Sequence, residues 1–140
     1  MNYFKIDGKT YQCVVTAIKE SFEILYGDGT GRTVAPSAPM TLSPLGTFFT
    51  YNVTVQRKAG YEAEYDELYD LVSTPMSVLD ADIDGYDIEI AHNQSTWNFK
   101  GYISKGARAI RKIDEKENKI YWGELVLNIV PLKAQKGVKG

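Results

Sequence analysis

The sequence has few of the residues that catalytic or metal-binding proteins rely on. Its 140 residues include one cysteine and one histidine, which excludes an intrachain disulfide and a zinc site built from a Cys and His cluster. The 16 basic and 18 acidic residues leave a net charge of −2, which argues against a general affinity for nucleic acid or anionic membranes. No stretch approaches the roughly 18 apolar residues of a membrane-spanning helix. We therefore expect a soluble protein with no membrane insertion.

The patterns that are present indicate a mainly β domain. Residues 47–58 place Phe49, Tyr51, Val53 and Val55 on one face and polar residues on the other, which predicts a half-buried antiparallel strand. The same reasoning predicts an opening hairpin from residues 3–6 and 10–18, and strands at 21–26, 76–79, 86–90 and 96–105. It also predicts a terminal hairpin from residues 107–113 and 119–131. We expect one domain over residues 1–134 and a flexible Lys- and Gly-rich tail over 135–140.

One helix is predicted over residues 61–73. Apolar side chains recur at the spacing of a single helical stripe, and acidic residues in the first turn suit the helix dipole. Pro75 follows the predicted end, and proline disfavours helix in the residue before it. The stripe is formed by Tyr61, Tyr65, Leu68, Tyr69 and Val72.

Residues 27–46 form a long segment with no helix or strand pattern. Such loops are uncommon in small domains unless they are functional or disordered. This segment carries apolar residues that a solvated linker does not need, so we expect an extended loop that packs on another copy of the protein. The candidate inter-subunit contacts here are Arg32, Val34, Met40, Leu42 and Leu45.

The last predicted strand adds two candidate contacts. Its apolar residues fall on both faces, with Trp122 and Val126 opposite the predicted core face. A strand that is apolar on both faces is either central in a sandwich or covered by a partner. We therefore include Trp122 and Val126 among the candidate inter-subunit contacts.

No residue set predicts catalysis or a cofactor. Asp80, Asp82, Asp84 and Gly85 match the first half of a calcium loop, but position twelve is Ala91 rather than the required carboxylate. A polar turn is the better interpretation, and calcium binding is the alternative. A catalytic Cys13–His92 pair remains formally open, although Cys13 lies in a β-branched run typical of a core.

Several runs resemble a small protein family of bacteriophages and prophages of Gram-positive bacteria, whose members sit among tail genes. The resemblance spans about residues 6–134, and its most specific pieces are residues 30–33, 39–40, 45–47 and 65–69. The order of elements also resembles the tail-tube fold. That likeness implies two packed antiparallel sheets, as a sandwich or split barrel, with one flanking α-helix, a long extended loop and an extended hairpin.

The resemblance implies a non-enzymatic structural subunit of the virion tail, in the tube or the tip and baseplate region, synthesised in the host bacterial cytoplasm. We expect it to assemble with itself into a ring, with six copies as the expected number, and to contact neighbouring tail proteins, with DNA only as passing cargo. The alternatives are a glycan- or protein-binding β-sandwich module, and a small enzyme that uses Cys13 or the Asp80–Asp84 cluster.

Overall fold

The computed structural model describes residues 3–32 and 39–138. These contain eight strands and one helix. The elements are β1 (Phe4–Ile6), β2 (Cys13–Tyr26), β3 (Gly31–Arg32), β4 (Met40–Thr41), β5 (Pro44–Arg57), α1 (Glu62–Val72), β6 (Tyr86–His92), β7 (Ser95–Asp114) and β8 (Lys119–Pro131).

Six strands form one antiparallel sheet in the order β1-β6-β7-β8-β5-β2, and β3 and β4 form a separate two-stranded ribbon. The mainly β class, the antiparallel pairing and the single helix are confirmed. The two packed sheets are not confirmed, because the hydrogen-bonded pairing is continuous through all six strands. Residues 13–26 and 95–114, which the sequence divides into shorter predicted strands, each form one long strand.

The sheet curls until the end of β6, beside the edge strand β1, meets the opposite edge strand β2. Three strands lie between β6 and β2 in the pairing order, yet Nδ1 of His92 in β6 lies 2.8 Å from Oε2 of Glu20 in β2. The pairing slips at Val15/Ala17 in β2 and at Ile103/Lys105 and Arg108/Ile110 in β7. Such β-bulges bend strands and increase their twist, which lets one sheet enclose a core by itself.

The core follows the predicted alternation. Phe49, Tyr51, Val53 and Val55 are buried in β5, as residues 47–58 predict. Their counterparts on the other strands close the interior without any buried charged or polar residue among the described positions. Those counterparts are Phe4, Ile6, Tyr86, Ile88, Ile90, Leu125, Leu127 and Ile129.

Helix α1 matches its prediction to within a residue at each end. Tyr61 and Ser73 are the flanking cap residues, and Tyr65 and Leu68 of the predicted stripe are buried. The Tyr65 hydroxyl donates a hydrogen bond to the carbonyl oxygen of Gly123 at 2.7 Å, which ties the helix to β8.

The opening hairpin prediction is wrong. β1 pairs with β6, in the register Phe4↔Ile90 and Ile6↔Ile88, and β2 pairs with β5. Pairing with β6 places apolar residues of both strands in the core, which a local hairpin would leave exposed. The predicted strand at 76–79 is also absent, because these residues form an irregular segment.

The C-terminal residues run against β5. Gln135 accepts a hydrogen bond from the Phe49 N–H at 2.9 Å and donates one to the Phe49 carbonyl oxygen at 3.0 Å. Thr47 pairs with Lys136, and the chain passes so close that a Cβ on Gly46 (φ 140°) would lie 2.6 Å from that of Ala134. Gln135 and Lys136, the first described residues of the predicted tail to contact the sheet, thus form hydrogen bonds with β5.

Two long β-ribbons leave the body at opposite ends of a short ladder. β5 and β8 pair only from Tyr51↔Ile129 to Val55↔Leu125. The β2–β5 ribbon continues beyond the Tyr51 end, and the β7–β8 ribbon continues beyond the Val55 end. The molecule therefore has two different projections that point away from one another along this ladder.

Candidate assembly surface

The projecting part of the β2–β5 ribbon, residues 22–32 and 39–45, is here called the arm. Apolar side chains are exposed on both of its strands and in the segment between them, and three of them are more than half exposed: Phe22 at 66%, Leu42 at 55% and Leu45 at 61%. Large exposed apolar patches mark interaction sites on soluble proteins. The other exposed apolar residues of the arm are Ile24, Leu25, Tyr26 and Met40.

The described part of the arm is a folded ribbon. The Gly27 N–H donates to the Ser43 carbonyl oxygen at 2.8 Å, and the Ser43 N–H donates to Oγ1 of Thr30 at 2.8 Å. β3 and β4 pair beyond these bonds, through Gly31↔Thr41. These hydrogen bonds fix the backbone of this part of the arm and thereby keep its apolar side chains exposed.

Four of the seven predicted contacts lie in the arm. Met40, Leu42 and Leu45 are all exposed there. The backbone of Arg32 pairs with that of Met40 in the β3–β4 ribbon, and Val34 lies outside the described residues. The predicted contacts did not include Phe22, Ile24, Leu25 and Tyr26. These residues lie in the predicted strand at 21–26, but a strand pattern does not show which face lacks a covering layer.

Trp122 and Val126 do not share a face, contrary to the expected alternation. In the β7–β8 pairing, Arg108 lies opposite Leu125 and Ile110 lies opposite Trp122, so β8 has one residue more than β7 between these pairs. This bulge turns Trp122 to the core side, where it packs against the core, while Val126 remains 39% exposed. The bulge thus accounts in part for the apolar residues that the sequence pattern places on both faces of β8.

Trp122 is covered by Arg108. The Arg108 guanidinium carbon lies 3.9 Å from the Trp122 ring centroid and 3.6 Å from that of Tyr69 in α1. Nη1 of Arg108 is 3.2 Å from the Asp66 carboxylate. A planar guanidinium can stack on two rings while it binds a carboxylate, so this contact fastens α1 to β7 and β8.

Several parts of the sheet edge lack a neighbouring strand among the described residues, and two of them are long. β2 is the last strand of the sheet along its full length. β6 covers β7 only from Ser95 to Gly101, so β7 has an unpaired edge from Tyr102 onward. Open edges can pair with strands of other chains.

The place where the curled sheet closes, here called the seam, carries a chain of hydrogen bonds. The Trp97 indole N–H donates to the Tyr51 hydroxyl at 2.7 Å, and that hydroxyl donates to Oε2 of Glu20 at 2.7 Å. The His92 ring stacks on Trp97 with 3.7 Å between centroids and contacts the same carboxylate. Partial burial acts to raise the pKa of Glu20, but the hydrogen bonds to His92 and Tyr51 outweigh it and the pKa is lowered.

The Cys13–His92 pair suggested by the sequence does not form. His92 contacts Glu20, which lies seven residues along β2 from Cys13, a separation of roughly 23 Å in a strand. Burial, with a smaller effect of Glu64, raises the pKa of the Cys13 thiol to about 11. Cys13 lies beside Phe4 and Leu68 and behaves as part of the packing.

The Asp80–Asp84 segment is a self-contained turn. The Asp84 carboxylate accepts hydrogen bonds from the N–H groups of Leu79 and Asp80, which lower its pKa. Asp80 accepts one from the Asp82 N–H, and Asp82 pairs with Lys133. Within residues 3–32 and 39–138, no group of three or more acidic, His or Cys side chains is arranged to hold a metal ion.

An apolar groove of about 510 Å³ lies between the end of α1 and the unpaired edge of β7. One wall is formed by residues 72–78 after the helix, and the opposite wall by Tyr102 to Gly106. Buried core side chains Leu125 and Leu127 form its floor. Lys105 is the only charged residue among the described residues that line it.

Comparison of the sequence with models of known protein families and with curated proteins finds no match. Among the described residues, no helix has the length and apolar character needed to cross a membrane.

Proposed function

We propose that this protein is a structural subunit of a bacteriophage tail, in the tube or the tip region, that assembles with copies of itself into a ring, with six copies as the expected number. The observation that carries the proposal is the arm, a hydrogen-bonded ribbon whose apolar side chains project into solvent. The sequence resemblance to tail proteins of phages of Gram-positive bacteria supplies the biological setting, and the folded arm supplies a means of assembly.

The arrangement of the projections supports a ring. The arm and the β7–β8 ribbon differ in sequence and leave opposite ends of the β5–β8 ladder. A contact between two different surfaces is heterologous, and heterologous contacts generate closed rings or open filaments.

A negatively charged face would repel the phosphates of DNA and so let DNA pass as cargo. The acidic face of α1 supports this role only weakly. Three of its carboxylates form ion pairs with cations elsewhere in the chain, which reduces the negative field on this face. The pairs are Lys9–Glu67 at 2.7 Å, Arg108–Asp66 at 3.2 Å and Arg57–Glu62 at 3.7 Å.

The test is to make the arm polar and measure assembly. Replacing Met40, Leu42 and Leu45 with serine removes three exposed side chains of which each contributes about 1 kcal/mol when a partner covers it. The loss of about 3 kcal/mol weakens association by more than about a hundredfold. Mass photometry and electron microscopy should show rings or short tubes for the natural protein and single subunits for the variant.

The matched control replaces Leu79 and Ile83 with serine. These residues are 96% and 72% exposed but lie outside the arm. Assembly should survive this change. A natural protein that stays monomeric at every concentration would refute the proposal, and glycan binding by such a monomer would favour the binding-module alternative.

A further inference from the structure

We infer that the groove beside β7 is the receiving site for the arm of a second copy, which enters it as an added strand through residues 39–45. This inference rests on the proposed function, because it names the surface that the arm contacts. The site combines a main-chain edge with an apolar cavity, and the combination selects an extended apolar segment.

The groove offers backbone groups as well as apolar surface. Beyond Gly101, β7 has β8 on one side and no strand on the other among the described residues. Strand addition to such an edge takes its affinity from main-chain hydrogen bonds and its specificity from pockets that receive alternate side chains. The floor of Leu125 and Leu127 provides such a pocket.

The arm has the matching properties. Met40 and Thr41 are in strand conformation, and Met40 and Leu42 are exposed at the i, i+2 spacing of one strand face. Residues 39–47 carry no charge, as suits a groove whose described lining includes a single lysine. Among residues 3–32 and 39–138, only β3 pairs with β4, on one of its two edges.

The arm of the same chain does not reach this groove. Leu127 of the floor pairs with Val53 of β5, and Leu45 lies eight residues from Val53 along that strand. A strand of this length spans roughly 26 Å, so the arm would have to give up its pairing with β2 to fold back. We therefore assign the groove to the arm of a second copy, which makes the contact head-to-tail.

Disulfide trapping tests the contact directly. In a Cys13→Ser background, Leu42→Cys and Met76→Cys place one thiol on the arm and one at the rim of the groove. A bond requires the two Cα atoms to approach within about 7 Å. The double variant should form a ladder of covalent oligomers, and a mixture of the two single variants should form dimers between unlike chains.

The matched control pairs Leu42→Cys with Leu79→Cys, which is more exposed than Met76 but does not line the groove. It should cross-link at least about tenfold less. Met76→Arg should likewise weaken assembly about tenfold or more, and Leu79→Arg should leave it unchanged.

The outcomes separate this inference from the proposed function. Rings that form without preferential Leu42–Met76 cross-linking would overturn the groove assignment and leave the tail-subunit proposal standing. Native mass spectrometry that finds a small apolar ligand filling the groove would also overturn it. Absence of any assembly would refute both.

Discussion

The hydrogen-bonded seam makes a sharp prediction for Tyr51→Phe. The change keeps the ring, which is fully buried, and removes only the hydroxyl that joins Trp97 to Glu20. The Trp97 N–H then loses its acceptor, and Glu20 loses a donor at 2.7 Å. Hydrogen bonds to charged groups contribute about 1.5–3 kcal/mol, and an unsatisfied donor costs about 1–3 kcal/mol when buried.

The expected loss is about 2 kcal/mol, near the low end of the combined range, because Trp97 and Glu20 are both partly open to solvent. For a domain of this size that loss lowers Tm by about 6–8 °C. Urea unfolding followed by tryptophan fluorescence measures the loss of free energy, and a thermal scan measures the shift in Tm. Both are done in the serine variant of the arm, so that ring assembly does not contribute. Tyr3→Phe, an exposed hydroxyl with no described hydrogen bond, is the control and should change Tm by less than about 1 °C.

A Tyr51→Phe variant as stable as the natural protein would contradict a stabilising role of this hydroxyl. Independent effects in a double-mutant cycle with Trp97→Phe would contradict it too, since a shared hydrogen bond makes the two losses non-additive. In that case other contacts would hold the ends of the sheet together.

Three further predictions concern single side chains. The pKa of Glu20 is lowered in the folded protein, so the stabilising effect of its carboxylate should be fully present above the unfolded pKa of about 4.5 and disappear as the pH falls through the folded pKa. Glu20→Gln should therefore flatten the acid limb of the curve of stability against pH. An unchanged limb would contradict the lowered pKa of Glu20. With a thiol pKa of about 11 against an ordinary 9.0, Cys13 should be alkylated by iodoacetamide about a hundredfold more slowly in the folded than in the unfolded protein at pH 8, as mass spectrometry can follow. Arg108→Lys should lower the free energy of unfolding by about 1–2 kcal/mol in urea titrations, because an ammonium group cannot stack between Tyr69 and Trp122; equal stability would show that charge alone matters there.

The local pattern of residues was sufficient for the elements of the core. The alternation of Phe49, Tyr51, Val53 and Val55 predicts a strand with one buried face, and the structure buries all four. The helical stripe predicts α1 to within a residue at each end. Both predictions succeed because burial of one face depends on periodicity, which is written into a short stretch of chain.

Strand pairing was not predictable in the same way. The pattern of residues 3–18 predicts a hairpin, but β1 pairs with β6, more than 80 residues away. A strand can satisfy its hydrogen bonds with many partners, and the choice depends on which pairing buries the most apolar surface. The bulge that turns Trp122 inward is equally invisible, since one extra residue in a ladder leaves no compositional mark.

The sequence by itself determined that the chain is mainly β with one helix, and that residues 27–46 carry apolar side chains without a regular pattern. Only the tertiary structure decided which apolar residues stay exposed, that β2 and β6 of one sheet meet at Glu20 and His92, and that a groove lies along the open edge of β7. The physical reason is that periodicity acts within a few residues, whereas exposure, closure and open edges arise from strands brought together from distant parts of the chain.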